Sequence, residues 1–304
     1  MIEILMAILS GGVILATPIL FSALGEIYDE RAGVLNLGIE GIMSVTAFAG
    51  LWATYVSGSA WTGVLAAVSA GAFVAMIHGF GCVTIGINQL ISGLLISTLA
   101  DGIANFGHRS LYGVVSPTIE PLRPINIPVL SQVPIVGPML FQQNVFAYAA
   151  FLFAVVFGFV LYRTTWGLKI RAVGENPEAC DTAGIDVNRI RYLCVILSGV
   201  MAGLGGACLA LGYLGMYERG IVAGRGWIAI IVVILSRWSP YRAVLASLIF
   251  GFGYSTASAL IGAGVGVPYY LLMMLPYIIA IVVIPLMFKR ARGPSALAVP
   301  YRRK

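Results

Sequence analysis

The chain has 304 residues, of which 60% are hydrophobic and only 10% are charged, and its mean hydropathy is +0.96. This much apolar surface excludes a water-soluble fold and indicates an integral membrane protein. The net charge of +6 does not indicate nucleic-acid binding, because six basic residues lie within positions 289–304, directly after an apolar run. Such a tail is typical of a cytoplasmic membrane anchor, next to anionic lipid.

Apolar length predicts the membrane spans in chain order, at about twenty residues per crossing. Residues 4–25 form the first span, and no basic region precedes them as it would in a secretory signal. An acidic turn at 26–31 follows, and the run from there to residue 87 is long enough for two helices with a break near 57–60. Further spans are predicted at 88–106, 145–162, 192–214, 243–263 and 268–288.

One apolar segment, residues 226–236, is too short to cross the membrane alone. It offers roughly 16 Å of helix against a hydrocarbon core of about 30 Å. The preceding residues 215–224 can complete the crossing as non-helical backbone. Such backbone is tolerated at membrane depth only where protein or a water-filled cavity surrounds it. We therefore expect a broken helix here.

Charge fixes the expected topology. Residues 163–191 carry five of the eighteen Lys and Arg residues, so this loop and the basic tail are both predicted to be cytoplasmic. An even number of crossings must then separate them, which requires the short segment to cross. The sequence therefore predicts an all-α, polytopic membrane bundle of about nine spans, with the N-terminus outside and the C-terminus in the cytoplasm.

The loop 163–191 contains the signals of a short helix outside the membrane. Asn176 is placed as the N-cap, Pro177 as the first helical residue and Gly184 as a left-handed stop. Together they predict a helix of about two turns, which an external protein could push on.

A few polar residues within apolar segments are candidates for a translocation path. Asn36 and Glu40, four residues apart in a glycine-rich stretch, would share one helical face. A carboxylate facing lipid costs roughly 2.5 to 3.5 kcal/mol, so Glu40 should face a cavity, a partner helix or the interface. It either lines the path, or lies near the cytoplasmic end and caps a helix or pairs with Arg31.

Other polar residues leave similar alternatives open. Asp101 and Asn105 again have i, i+4 spacing, and with Asn88 they either bond between helices or line the path. Trp227 lies in the predicted broken segment and is a further path candidate. Residues 107–143 hold six of the fourteen prolines and few charges, which indicates an extracytoplasmic loop. That loop either covers a vestibule or docks a binding protein.

Catalytic, metal-binding and cofactor motifs are absent from the sequence. The chain has three lysines, and none lies in a GxxxxGK[ST] loop, so we expect no ATP hydrolysis by this chain. The four cysteines lack metal-ligand spacing. The residues therefore favour a transporter rather than an enzyme, with an ion-coupled secondary transporter using Glu40 and Asp101 as one alternative.

Four segments together resemble the permease subunits of bacterial ABC importers for nucleosides and simple sugars. They read GEIYDERAGVLNLGIEGIM at 25–43, GENPEACDTAGI at 174–185, LSGVMAGLGGA at 197–207 and GRGWIAIIVVILSRWSP at 224–240. They stand in the order seen in that family, and the similarity covers nearly the whole chain. The ERAGVLNLGIEG form is more similar to the nucleoside branch than to the ribose or branched-chain amino acid branches.

The resemblance implies one permease domain over residues 1–304, in a bacterial inner membrane, that works by alternating access. It implies three protein partners: a second permease in a heterodimer, a cytoplasmic ATPase and an extracytoplasmic substrate-binding protein. It also implies that the cytoplasmic loop around residues 176–184 forms a coupling helix seated in a groove of the ATPase, with these residues at or beside the contact: Gly174, Glu175, Asn176, Pro177, Glu178, Ala179, Ala183, Gly184 and Ile185.

The chain departs from the family pattern at three positions. Relatives commonly have a second alanine followed by a basic residue where this chain has Cys180 and Asp181, so the charge pattern facing the ATPase is expected to differ. Gln89 occupies a position where relatives often carry an acid, which puts a shared polar role there in question.

Overall fold

The computed structural model describes residues 2–128, 130–133, 136–288 and 292–301. The described chain is a bundle of α-helices with one short antiparallel hairpin, in which β1 (Ile125–Asn126) pairs with β2 (Gln142–Gln143). The helices are α1 (Ile2–Arg31), α2 (Ile39–Ser57), α3 (Ala60–Gly79), α4 (Gln89–Tyr112), α5 (Val145–Arg163), α6 (Thr165–Glu175), α7 (Pro177–Thr182), α8 (Val187–Ala207), α9 (Arg225–Leu235), α10 (Pro240–Gly262), α11 (Tyr269–Met273) and α12 (Leu275–Phe288).

Seven helices in the described residues are long and apolar enough to cross a membrane, namely α1 to α5, α8 and α10. The predicted break between the second and third spans is confirmed at Gly58, which ends α2 with a φ of 71°. Helix α9 and the stretch Tyr269–Val283 are apolar but shorter. The count of nine crossings and the sides of the two termini therefore stay predictions.

Four predicted boundaries are wrong. Residues 26–31 are not a turn but the last turns of α1, because their side chains find partners inside the protein. Helix α4 continues to Tyr112, and α8 starts already at Val187, capped by Asp186. The predicted span 268–288 is two helices, because α11 ends at Met273 and α12 begins at Leu275.

The centre of the bundle is formed by α1 and α8, with α2, α3 and α10 packed around them. Close packing of α3 on α8 depends on small residues: a Cβ added at Gly199 would lie 2.3 Å from the carbonyl oxygen of Gly71. A Cβ at Gly206 would similarly lie 2.4 Å from the carbonyl oxygen of Met43 in α2. The glycines of α8 thus let three helices approach backbone to backbone, as small residues do in membrane proteins.

An irregular segment separates α8 from α9. Helix α8 continues as a π-helical turn, Cys208–Leu214, which ends at Gly215 with a φ of 67°. Residues 215–224 then form turns before α9 begins. Tyr217, Ile221 and Val222 in this segment are at most 4% exposed, so protein encloses the non-helical backbone. That is the environment such backbone requires within a membrane.

Candidate coupling and translocation sites

Helix α7 has the capping geometry that the sequence predicts. Asn176 Oδ1 accepts a hydrogen bond from the backbone N–H of Ala179 at 3.0 Å, and Pro177 is the first helical residue. At the other end Gly184 has a φ of 79°, and the N–H of Ile185 donates to the carbonyl of Cys180 at 2.9 Å. The helix is therefore stopped at both ends by its own sequence.

The residues around α7 divide into an outward and an inward set. Glu178, Ala179, Ala183 and Gly184 are exposed, and they form a small surface that a partner could contact. Cys180 is instead buried among apolar side chains, so its thiol does not belong to that surface.

Gly174, just before α7, packs against α1. A Cβ at Gly174 would lie 2.1 Å from the carbonyl oxygen of Arg31, so only glycine fits this approach. The end of α6 is thus seated directly on the end of α1. The segment that leads into α7 is therefore in direct contact with the end of α1.

Residues 293–301, here called the C-terminal strap, tie several elements together at this end of the bundle, which we call the α7 end. The N–H of Ala296 donates to the carbonyl of Gly174 at 2.9 Å, and the N–H of Ala298 donates to the carbonyl of Gly33 at 3.2 Å. Ser295 Oγ donates to Glu175 at 2.8 Å. Part of the predicted basic tail is therefore a packed segment; its residues 289–291 and 302–304 lie outside the described residues.

Buried charged side chains lie beneath the strap. Glu26 accepts from the N–H of Asn36 at 2.9 Å and from Ser198 Oγ at 3.1 Å. Glu30 accepts from the indole N–H of Trp238 at 2.5 Å. A buried carboxylate is tolerated only with such donors.

Arg191, from α8, is the large cation of this cluster and is 1% exposed. Its guanidinium donates to the carbonyls of Ala32 at 3.2 Å and of Val299 at 3.1 Å. It also interacts electrostatically with Asp29, whose side-chain oxygens have no hydrogen-bond partner among the described residues. One arginine therefore links α8, the end of α1 and the strap.

Glu40 caps the N-terminus of α9. Its carboxylate oxygens accept from the backbone N–H groups of Gly224 at 2.8 Å and of Gly226 at 2.7 Å. A carboxylate at this place satisfies two otherwise unpaired donors and complements the positive end of the helix dipole. Glu40 therefore caps a helix, which was part of one of the two alternatives that the sequence left open. The helix that it caps is α9.

A polar network joins α2, α4 and the irregular segment near the opposite end of the bundle. Asp101 accepts from Ser44 Oγ at 2.6 Å and from Asn105 Nδ2 at 3.0 Å. Tyr217 donates its hydroxyl hydrogen bond to Asn105 Oδ1 at 3.3 Å and lies 3.2 Å from Ser44 Oγ. The network borders a cleft of about 700 Å³, and we call this side of the bundle the cleft end.

Comparison with known proteins agrees with this architecture. A family model described as the branched-chain amino acid transport system / permease component matches residues 8–284. The chain belongs to this permease family. It is 33% identical to the guanosine ABC transporter permease protein NupQ of Bacillus subtilis, over 99% of this chain and 98% of that protein.

Other relatives carry related names. The nucleoside ABC transporter permease protein NupC of Lactococcus lactis is 32% identical over 99% of this chain and 98% of its own length. The putative glucose ABC transporter permease protein TsgC13 of Haloferax volcanii is 39% identical over 78% of this chain and 72% of its own length. The Bacillus and Lactococcus strains each have a second, more distant relative, the permease proteins NupP and NupB, at 26% and 23% identity.

One solved structure, an inward-facing conformation of a putative metal-chelate type ABC transporter, has a TM-score of 0.51 to this permease. The two chains are 15% identical, and the match covers 94% of this chain and 85% of the other, so it shows the fold alone. The relatives together support an ABC importer permease and not the ion-coupled alternative. A multi-pass membrane protein is likewise supported by the seven apolar helices.

The remaining predicted path residues of the permease are scattered. Asn36 does not share a helical face with Glu40, because α2 begins only at Ile39 and Asn36 lies in the non-helical segment before it. Asn88 is an exposed N-cap that accepts from the N–H of Ile91 at 3.1 Å. Trp227 lies in the first turn of α9 and is 36% exposed. The path role of each stays a prediction.

Gln89 keeps a polar function in this permease. Its Oε1 accepts from the backbone N–H of Leu35 at 2.8 Å, which holds the segment before α2 against the start of α4. An amide oxygen accepts this bond as a carboxylate oxygen would. The departure from the family pattern at this position therefore preserves the contact.

Sequence reasoning missed three parts of the permease's sites: the buried carboxylates of α1, the docking of the strap, and Tyr217. Glu26, Asp29 and Glu30 carried a usable signal, because Glu26 and Glu30 are four residues apart directly after an apolar span. For Tyr217 no local signal exists, since its partners Ser44 and Asn105 are more than a hundred residues away.

Proposed function

We propose that this permease forms one half of the translocation path of a nucleoside importer in a bacterial inner membrane, working by alternating access. A second permease subunit supplies the other half, a separate cytoplasmic ATPase acts on α7, and an extracytoplasmic binding protein delivers the substrate. The bundle crosses the membrane nine times, with the α7 end in the cytoplasm and the cleft end outside. Simple sugars are the second candidate substrate class, favoured by the similarity to a putative glucose permease.

The observation that carries the coupling role is the exposed, self-capped helix α7. Its neighbour Gly174 is in direct contact with α1, and the strap bonds to Gly174 and to Gly33. Force on α7 therefore acts on the helices at the centre of the bundle rather than on a loose loop. A two-state closing motion requires a rigid element that takes up the force exerted by the ATPase.

The substrate class follows from the relatives, of which two that match along their whole length are named for guanosine or nucleosides. The paired relatives support the heterodimer, since each of those two bacteria has a second permease protein similar to this chain. Affinity for substrate can reside in the binding protein, so few polar groups are needed in the membrane.

The test is purification of the permease in mild detergent, identification of the proteins that co-purify, and ATP-dependent uptake of guanosine and of glucose by reconstituted vesicles. We expect an ATPase and a second permease to co-purify, and guanosine uptake to stop when ATP is withheld. Uptake that persists without ATP or without an ATPase partner would overturn the proposal.

The coupling assignment has a matched pair of variants. Gly184→Val places a β-branched residue at a φ of 79°, which costs about 1 to 2 kcal/mol of backbone strain and displaces the end of α7. Gly58→Val imposes the same strain at a φ of 71° at the end of α2, where open space likewise surrounds the glycine. We expect only Gly184→Val to reduce the uptake obtained per ATP hydrolysed; equal effects of both variants would contradict the assignment.

A further inference from the structure

The cleft at the cleft end has the size of a ligand site. It lies between the last turns of α4 and residues 216–219, and its volume of about 700 Å³ falls within the range of small-molecule pockets. Asn105, His108, Arg109, Tyr217, Glu218 and Arg219 are among its lining residues. The similarities to known proteins concern the chain as a whole and assign no role in substrate binding to this cleft.

One side of the cleft is aromatic. The rings of His108 and Tyr217 have centroids 5.1 Å apart at an angle of 45°. Phe48 packs edge-on against Tyr217 at 5.8 Å, and Tyr112 lies 5.8 Å from His108. Tyr217 is completely buried, so the ring that the cleft offers to a ligand is that of the half-buried His108. Nucleobases stack on such a ring whatever their identity, because every base has a π-face.

The polar side of the cleft offers a hydrogen-bond acceptor. Both hydrogens of the Asn105 amide are engaged, since Nδ2 donates to the backbone carbonyl of Asp101 at 2.8 Å and to its carboxylate at 3.0 Å. Asn105 Oδ1 receives one bond, from Tyr217, and an amide oxygen can accept two. This amide oxygen suits a hydroxyl group of a sugar.

The charged residues of the cleft lie at its exposed rim. Arg109, Glu218 and Arg219 are exposed lining residues, so water and salt screen their charges. A neutral ligand with one planar face and hydroxyl groups fits the part of the cleft that His108 and Asn105 line.

We propose that this cleft is a nucleoside-binding station of the permease, in which the base stacks on His108 while a ribose hydroxyl donates to Asn105 Oδ1. The inference rests on the proposed function and deepens it, because it assigns the His108 ring to the base. A hexose can pack its C–H groups on the same ring, so the comparison of guanosine with glucose in the test below separates the two substrate classes.

The test uses the complete importer in vesicles and compares His108→Leu with His108→Phe. The leucine variant removes the π-face, and the phenylalanine variant keeps it. We expect guanosine uptake at saturating binding protein to fall roughly fivefold or more in His108→Leu and to be largely retained in His108→Phe. Phe159→Leu, which removes an exposed aromatic ring from α5, is the control and should match the wild type.

A direct readout separates binding from assembly. Light-activated 8-azidoguanosine should label peptides from α4 or residues 216–219 in the wild type, excess guanosine should prevent the labelling, and His108→Leu should reduce it. Labelling elsewhere, or guanosine uptake unchanged in His108→Leu, would overturn this inference while the proposed function stands. A wild-type importer that takes up glucose but no nucleoside would instead overturn the proposed substrate class, and the inference with it.

Discussion

The two ends of the bundle use polar side chains in opposite ways. At the α7 end, Glu26, Glu30 and Arg191 are almost completely buried and are bonded to backbone or side-chain partners from distant segments. At the cleft end, Asn105 and His108 are only partly buried and line an open cleft. The comparison teaches that enclosure, more than residue type, decides the role of a polar side chain: enclosed side chains link distant segments, and partly buried ones remain accessible to a ligand.

The largest effect is expected from Arg191→Ala, which removes the side chain that links α8, the end of α1 and the strap. Loss of the guanidinium removes its hydrogen bonds to the buried carbonyls of Ala32 and Val299, and a hydrogen bond from a charged group is worth about 1.5 to 3 kcal/mol. We expect a marked fall in the melting temperature in detergent. Arg189→Ala, two residues earlier on the same helix and exposed, is the control. Equal melting temperatures of the two variants would show that Arg191 does not hold this end together.

Removal of the C-terminal strap should have the next largest effect. A stop codon after Arg292 deletes three hydrogen bonds, to Gly174, Gly33 and Arg191, each worth roughly 1 kcal/mol, and two exposed hydrogen bonds from Ser295 to Glu175. We expect lower thermal stability and more ATP hydrolysed per substrate molecule transported. A stop codon after Tyr301 removes only the last three residues and should leave both quantities unchanged. If the variant truncated after Arg292 hydrolyses as much ATP per transported substrate molecule as the wild type, the strap does not take part in transmitting force from α7.

Glu40→Gln tests the junction between the two ends, where α9 begins. Glutamine offers one acceptor oxygen where the carboxylate offers two, and it turns an amide donor toward a backbone N–H. We expect a loss of about 2 kcal/mol and faster amide hydrogen exchange in residues 225–228. Glu120→Gln, in the exposed loop, controls for loss of a charge elsewhere. Unchanged exchange in the first turn of α9 would contradict the capping role.

The smallest effect is expected from Cys180→Ala, which restores the residue that is common in the family. Because the thiol is buried against the core, the change removes one small group and should lower stability by less than about 1 kcal/mol. Affinity for the ATPase, measured by titration of the purified subunit, should not change. A clear change in affinity would mean that α7 presents a different face to its partner.

Short-range sequence signals predicted the parts of this fold that depend only on residues close together in the chain. The Asn176 cap, Pro177 and Gly184 act within a few residues of each other, and the break at Gly58 needs only one left-handed residue. Apolar length likewise predicted most spans, because a helix in lipid must satisfy its own backbone.

The parts that failed depend on distant partners. Whether residues 26–31 are a turn or a helix depends on Ser198 and Trp238, which follow more than 160 residues later. The helical face assigned to Asn36 and Glu40 was wrong because Asn36 lies in non-helical backbone, where its N–H donates to Glu26. For the candidate sites, sequence supplied Asp101, Asn105 and α7, but only the folded chain brings Tyr217 and His108 to one cleft.

The strap also bears on how the protein is made. Its Ala298 bonds to Gly33, and Val299 to Arg191, so the segment is synthesised after everything it contacts. During translation the earlier helices can insert and pack before the strap exists. Arg191 and the carbonyls of Gly33 and Gly174 gain their hydrogen bonds to the strap only after the ribosome has synthesised residues 293–301. A ribosome that stops early therefore releases a chain with an incomplete α7 end, which proteases can distinguish from a finished one.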